Sequence, residues 1–198
     1  MGGVRRRRWC AVSRTPIRLT LFAIVVVLAG ATFLYLRGPA SWQRFYYPLS
    51  FSQAITESSA RHEVSPYLIA AVINAESKWK PGTRSAAGAV GLMQVLPSTA
   101  EDLARRGDVD VEKFPVDSLS DPAVNIEYGT AYLRYLVNRY HEIETVLAAY
   151  NAGLRHADEW KSKGGDIRAA IEFPETRHYV LRVMRGKDRY TELYPDAF

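Results

Sequence analysis

One residue on an otherwise apolar helical face could move protons. The pair Ser65-Pro66 is a strong helix start, because Ser65 can cap and Pro66 occupies the first helical position, where its missing N–H costs little. At 100° per residue, Glu76 on that helix shares a face with Ile69, Val72 and Ile73. A carboxyl on an apolar face is desolvated, which raises its pKa and keeps it protonated near neutral pH, the state of a general acid. A glutamate near a helix end that simply points to water is the commoner case, and periodicity alone does not separate the two. The histidines offer no metal chemistry instead. His62-Glu63 begins an HExxH pattern, but Pro66 falls at the second histidine, and His141, His156 and His178 are scattered. No GxxxxGK[ST] loop is present, and the single cysteine, Cys10, excludes a disulfide framework and a Cys-rich zinc site. No cofactor and no metal are expected.

The elements that must position Glu76 read as helices throughout. The helix from Pro66 runs through YLIAAVINAESKW and is expected to stop near Pro81-Gly82. Asp121-Pro122 repeats the start signal ahead of AVNIEYGTAYLRYLVNRY. Further helices are expected over residues 51–63, 97–106, 143–151, 154–163 and 175–187. Residues 81–96, PGTRSAAGAVGLMQVL, are rich in glycine and small residues and poor as a helix. Such a segment lets the backbone approach something closely. No alternating strand pair stands out.

Four short motifs follow one another in this helical region: Glu76-Ser77, then Ser85-Ala-Ala-Gly-Ala-Val-Gly-Leu-Met-Gln94, then Ala148-Ala-Tyr-Asn-Ala-Gly153, then Pro174-Glu-Thr-Arg-His-Tyr179. Each is weak alone. In this order they resemble the soluble lytic transglycosylase family, whose catalytic domain has a goose-type lysozyme-like fold, over roughly residues 50–190. The resemblance implies that Glu76 is the lone catalytic acid/base and that Ser77 completes the Glu-Ser signature. It implies that Ser85 contacts the sugar near the reacting centre, and that Gly91, Met93 and Gln94 line the cleft beside the acid. Tyr150 and Asn151 match a cleft-facing pair, and Glu175 and Tyr179 the motif that closes the groove. Asn125 and Gly129, on the long helix, match packing positions. Each has a structural alternative: Met93 as core filler, Tyr150 as a buried ring, Gly91 as a turn residue, Glu175 as a helix N-terminal charge.

The implied substrate is the glycan strand of peptidoglycan. Glycosidases usually place two carboxyls about the bond, but no acid follows Glu76 until Glu101 and Asp102. If no distant acid folds in, the substrate's own C6 hydroxyl can take the place of water, giving a 1,6-anhydro sugar. A hydrolytic muramidase with a second acid, and a non-catalytic peptidoglycan-binding module, are the alternatives.

Charge narrows the remaining classes. Six of the 26 basic residues lie in residues 1–18, which hold no acid. That leaves 20 basic against 21 acidic side chains over residues 19–198, a net of −1, which excludes a nucleic-acid-binding domain. From Leu19 to Leu36 run 18 residues without a charge, LTLFAIVVVLAGATFLYL, nearly enough to cross a hydrocarbon core of about 30 Å. The expected organisation is an arginine-rich cytoplasmic tail (1–16), an uncleaved transmembrane helix (17–36), a linker (37–49) and an all-α, lysozyme-like catalytic domain (50–198). The positive-inside rule places that domain on the periplasmic side of the inner membrane. A cleavable signal peptide ending near Ala29-Gly30-Ala31 is the competing reading.

Overall fold

The computed structural model describes residues 15–198, with the side chains of 15–18 and 35–37 left aside. Most of the expected tail, and Cys10, therefore fall outside the described residues. The chain divides into two units, one ending at Phe45 and one spanning Tyr46–Phe198.

In the first unit, helix α1 spans Thr15–Arg37. Its described side chains, 19–34, are exposed on every face, with Leu19, Phe22, Val27 and Phe33 among the most open. That stretch rises about 24 Å. Among the described residues, no helix is long and apolar enough to cross a membrane. Residues 37–49 are not simply a linker: α2 spans Ala40–Tyr46, and the Gln43 side chain donates to the Gly38 carbonyl at 2.6 Å.

The second unit is helical: α3 (Ser52–His62), α4 (Pro66–Glu76), α5 (Pro97–Arg105), α6 (Pro122–Tyr140), α7 (Ile143–Ala152), α8 (Leu154–Ser162), α9 (Ile167–Ala170) and α10 (Pro174–Leu193). A 3-10 turn covers Val116–Ser118, and the only β pairing among the described residues is two isolated bridges in the 84–95 segment. The expected helix starts hold, with different chemistry at two of them. Asp121 caps α6 by accepting from the Ala123 and Val124 N–H groups at 2.8 and 3.2 Å. Ser65 sits at the cap of α4 without a side-chain cap bond.

Helix α4 is the centre of the core. Leu68 through Ile73 are all buried, so this helix is enclosed on nearly every side. It packs chiefly on α10, and the two run antiparallel: Glu76 lies beside Tyr179 and Arg182, Ala71 beside Gly186, and the Tyr67 hydroxyl donates to the Tyr194 carbonyl. A Cβ on Gly186 would stand 3.3 Å from that of Ala71, so the glycine sets how closely the helices approach.

Helix α4 stops at Glu76, several residues before the expected Pro81-Gly82. Lys78 and Trp79 both adopt positive φ, 51° and 65°, which turns the chain back. The Trp79 indole N–H then donates to the Tyr190 hydroxyl at 2.9 Å, burying the ring against α10. The last helix is longer than expected for the same reason. Its extra turns supply Tyr190, whose hydroxyl donates to the Pro48 carbonyl, and are followed by Tyr194, which bonds to the Tyr47 carbonyl.

On the other side of the core, α3 is tied to α6 by charges gathered on one buried carboxylate. Arg61 forks onto Glu127 with contacts of 2.7 to 3.2 Å, and His62 Nε2 lies 2.9 Å from the same carboxyl. Burial alone would raise the Glu127 pKa, but hydrogen bonds from His62 and Arg61 outweigh it and hold the carboxyl at about 2. A carboxyl depressed from 4.5 to about 2 stabilises the fold above pH 4.5, and that contribution disappears as pH falls toward 2. Glu127→Gln is therefore expected to cost about 2–3 kcal/mol at pH 7 and progressively less toward pH 2. Urea unfolding of both proteins at pH 7, 4 and 2.5 checks this; a pH-independent difference would mean that packing, not charge, is what the substitution removes.

Candidate active site

Glu76 closes the last turn of α4, on the face shared with Ile69, Val72 and Ile73, all fully buried. Its own side chain is half-buried, at the seam with α10. Burial pushes its carboxyl from the ordinary 4.5 up to about 6, against the smaller opposing effects of Tyr179 and Arg182. The polar groups that act on Glu76 are thus a phenol and a guanidinium.

Tyr179 is 2% exposed, and its hydroxyl has no hydrogen-bond partner. It stands close enough to favour the charged form of Glu76, yet off hydrogen-bond geometry. A buried hydroxyl without a partner is costly, on the order of 1–3 kcal/mol. It remains a ready donor beside the carboxyl. Tyr150, on α7, also senses the Glu76 charge, and its hydroxyl donates to the Met93 carbonyl at 2.7 Å.

The segment 81–96 forms the facing wall without regular helix or strand, and besides Tyr150 one side chain clamps it. Asn125 on α6 donates to the Val90 and Leu119 carbonyls at 2.8 and 3.0 Å and accepts from the Met93 N–H at 2.8 Å. Three such bonds supply about 3 kcal/mol net and leave no buried amide atom unmatched. Gly91 lies against this side chain with φ +81°, and a Cβ there would stand 2.4 Å from the Asn125 nitrogen. Gly129 plays the matching part for Met93, whose sulfur would lie 2.4 Å from a Cβ on the helix. Asn125 and Gly129 are packing positions, as expected, and Asn125 is also the loop's clamp.

The structure brings some of the expected residues together and leaves others apart. Gln94, at φ +48°, donates from its amide to the Gly91 and Thr83 carbonyls at 2.9 and 3.1 Å. Gln94, Tyr150 and Asn151 line a cavity of about 240 Å³. Asn151 Oδ1 accepts from the Thr176 hydroxyl at 2.8 Å, tying α7 to the start of α10. Met93 and Ser77 are buried, and the Ser77 hydroxyl is spent on the Ile73 carbonyl at 3.1 Å. Ser85 is exposed and accepts from the Ala89 N–H at 3.0 Å, closing its own turn. Glu175 is exposed in the first turn of α10. Sequence reasoning passed over Arg182, which lies three residues beyond Tyr179 on one helix face, and Tyr132, whose ring packs on Tyr150 at 5.4 Å. Among the described residues, no group of three or more His, Cys, Asp or Glu is placed to hold a metal ion.

The family model for the transglycosylase SLT domain matches residues 53–172, which hold Glu76, the clamped loop and the Tyr150-Asn151 pair. The chain belongs to the transglycosylase SLT domain family. It is 32% identical over 145 residues to the soluble lytic murein transglycosylase of Salmonella typhimurium, a match covering 70% of this chain and 22% of that protein. It is 30% identical over 169 residues to the membrane-bound lytic murein transglycosylase F of Desulfosudis oleivorans, covering 81% of this chain and 35% of the relative. An inactive glutamate-to-glutamine mutant of lytic transglycosylase Slt from Pseudomonas aeruginosa superposes with a TM-score of 0.69 at 26% identity, covering 83% of this chain and 29% of that one. The chain thus spans well under half the length of these relatives, and its SLT fold is the part they share.

The raised pKa of Glu76 has a thermodynamic sign. The folded protein holds the proton up to about pH 6 and the unfolded chain only to about 4.5, so stability falls as pH rises through that window. Glu76→Gln is expected to stabilise the fold by up to about 2 kcal/mol at pH 7.5 and to give no gain below pH 4.5. Denaturant unfolding at the two pH values checks it; a gain of equal size at both would mean that Glu76 is not desolvated.

Proposed function

We propose that the SLT domain cleaves the β-1,4 bond between N-acetylmuramic acid and N-acetylglucosamine in peptidoglycan without consuming water. The observation that carries this reading is a half-buried carboxyl with its pKa near 6, set beside two tyrosines, with no other acid among the described groups that act on it. Protonated Glu76 gives its proton to the glycosidic oxygen as the bond to C1 breaks, releasing the N-acetylglucosamine hydroxyl. The 2-acetamido carbonyl steadies the positive charge developing at C1. The C6 hydroxyl of the same muramic acid then attacks C1, and the Glu76 carboxylate takes up its proton. The acid is restored and the new end is 1,6-anhydro-N-acetylmuramic acid.

Two features support the route. A group with a pKa near the working pH serves well both as acid and as base, a role typically worth about 10²–10⁴-fold. A nucleophile on the reacting sugar makes the second step intramolecular. Ser77, Gly91 and Met93 shape the wall of the cleft, while Ser85, Gln94, Asn151, Glu175 and Tyr179 are assigned to hold the strand, with the spare Tyr179 hydroxyl directed to the leaving oxygen or the acetamido group. The names of the relatives support the same activity. In the neighbouring Slt structure, a glutamate-to-glutamine change accompanies loss of activity.

Glu76→Gln is expected to lower murein cleavage by about 10²–10⁴-fold. Wild-type digests analysed by mass spectrometry are expected to end in anhydro-muramic acid. Reducing muramic ends would point to a hydrolase, and full activity in the variant would remove Glu76 from the chemistry.

We propose further that residues 17–36 anchor the domain to the inner membrane, with residues 1–16 in the cytoplasm and the domain on the periplasmic side. The charge-free run and the exposed aliphatic band of α1 support this, since lipid relieves the cost of hydrating such a band. The membrane-bound relative points the same way. The protein, tagged at its N-terminus, is expected to stay in the membrane pellet through an alkaline carbonate wash. Release of a shortened, untagged domain would mean that the segment is cleaved.

A further inference from the structure

The cleft does not end at Tyr150. Its ring packs on Tyr132, and Tyr132 stacks on Tyr135 at 6.1 Å with their planes 18° apart. The Arg106 guanidinium covers Tyr135, 4.2 Å from the ring centroid. Three cavities overlap along this row. The 240 Å³ cavity beside Asn151 shares Thr99 and Tyr132 with one of about 150 Å³, and that one shares Tyr135 and Arg106 with a third of about 360 Å³. The floor is α6; Thr99 and Leu103 come from α5, and Leu154 from α8.

The third cavity differs in chemistry from the first two. Arg106, Arg134 and Arg139 converge on it, with His62, Asn138 and one acid, Asp108. Each arginine already holds a carboxylate: Arg106 with Asp108 at 3.1 Å, Arg134 with Glu63 at 2.6 Å and Arg139 with Asp158 at 2.8 Å. Those acids are 37%, 73% and 45% exposed, so the pairs are worth little and exchange readily. A guanidinium carries five donors, and one fork can serve two carboxylates.

We infer that the glycan-binding cleft extends along Tyr150, Tyr132 and Tyr135, and that the arginine-lined cavity at its end receives a carboxylate of the peptide stem borne by the strand. The inference rests on the peptidoglycan reading above. A pyranose lays a face of C–H bonds on an electron-rich phenol ring, so Tyr150 and Tyr132 suit a neutral sugar chain, while Tyr135, covered by Arg106, marks the passage to the arginines. The arginines suit what that chain carries, since each muramic acid presents a lactyl-linked peptide with free carboxylates. The cavity thereby acts as a specificity site that distinguishes stem-bearing strands from bare ones.

The test uses the full chain and its Arg134→Gln/Arg139→Gln variant, on strands with stems and on strands stripped of them by an amidase. On stem-bearing strands the variant is expected to raise KM about tenfold or more with kcat unchanged, the loss of charge-assisted bonds worth about 1.5–3 kcal/mol. On bare strands both constants are expected to match wild type. In parallel, a stem tetrapeptide is titrated by NMR, with shifts expected for wild type and lost in the variant. Equal losses on both substrates, no loss on either, or a tetrapeptide that binds the variant equally well would overturn the inference. Should the double variant fail to fold, Arg139→Gln alone, at an exposed position, carries the same expectations. A wild-type protein that binds the tetrapeptide through these arginines but cuts neither strand would support the cavity and overturn the glycan-cutting reading. One that neither cuts nor binds would overturn both.

Discussion

Everything in the cleft depends on how far a carboxyl can be taken out of water before something neutralises it. Two glutamates of this chain answer differently. Glu127 is almost fully buried, yet its pKa lies near 2, because Arg61 and His62 satisfy its oxygens. Glu76 is only half-buried, yet its pKa lies near 6. What separates the two is partnership: only Glu127 has its oxygens satisfied by Arg61 and His62. Glu127 has the partners of a structural tie. Glu76 has a phenol off hydrogen-bond geometry and a guanidinium acting at a distance, enough to temper desolvation but not to cancel it. A residue with the first surroundings stays charged through any reaction, whereas one with the second can give and retake a proton.

The α4–α10 seam creates that state. Leu68–Ile73 require α4 to be enclosed, and the Gly186–Ala71 approach lets α10 come close enough to bring Tyr179 to the helix end. Had α4 continued to residue 81, its next turn would lie where the reversal at Lys78 and Trp79 now opens the end of the helix. The opposing wall shows how a loop can be firm without being regular. Buried backbone groups need partners. Asn125 supplies two of the loop's, the Val90 carbonyl and the Met93 N–H, and the Tyr150 hydroxyl supplies the Met93 carbonyl.

How much of this the sequence exposes follows the range of the interactions. The Asp121 cap and the face shared by Glu76 and Ile73 are local, and both are legible from spacing and residue type. The end of α4 is not, because the Trp79–Tyr190 bond joins residues 111 apart. The length of α10 is hidden for the same reason: its final turns are held by Pro48 and Tyr47 carbonyls from the start of the domain. Arg182 and Tyr132 could have been suspected from their helix faces, but neither type nor spacing says which neighbour they meet. The motif order singled out residues, while the clamp by Asn125 needed three dimensions to be seen.

Charge acts here at short range. Residues 19–198 carry a net charge of −1, so the domain has no broad field with which to gather an anionic polymer. Recognition must then come from contact. On the function proposed above, phenol faces along α6 hold a sugar chain without fixing its position. Arginines at one end of that row can fix it, since a guanidinium fork is directional and a bare sugar offers it no anion. Arg61 shows what a saturated guanidinium looks like in this fold, forked onto a buried carboxylate. Arg106, Arg134 and Arg139 instead pair with open, exchangeable acids, an arrangement that contributes little to stability and leaves their donors available to a ligand.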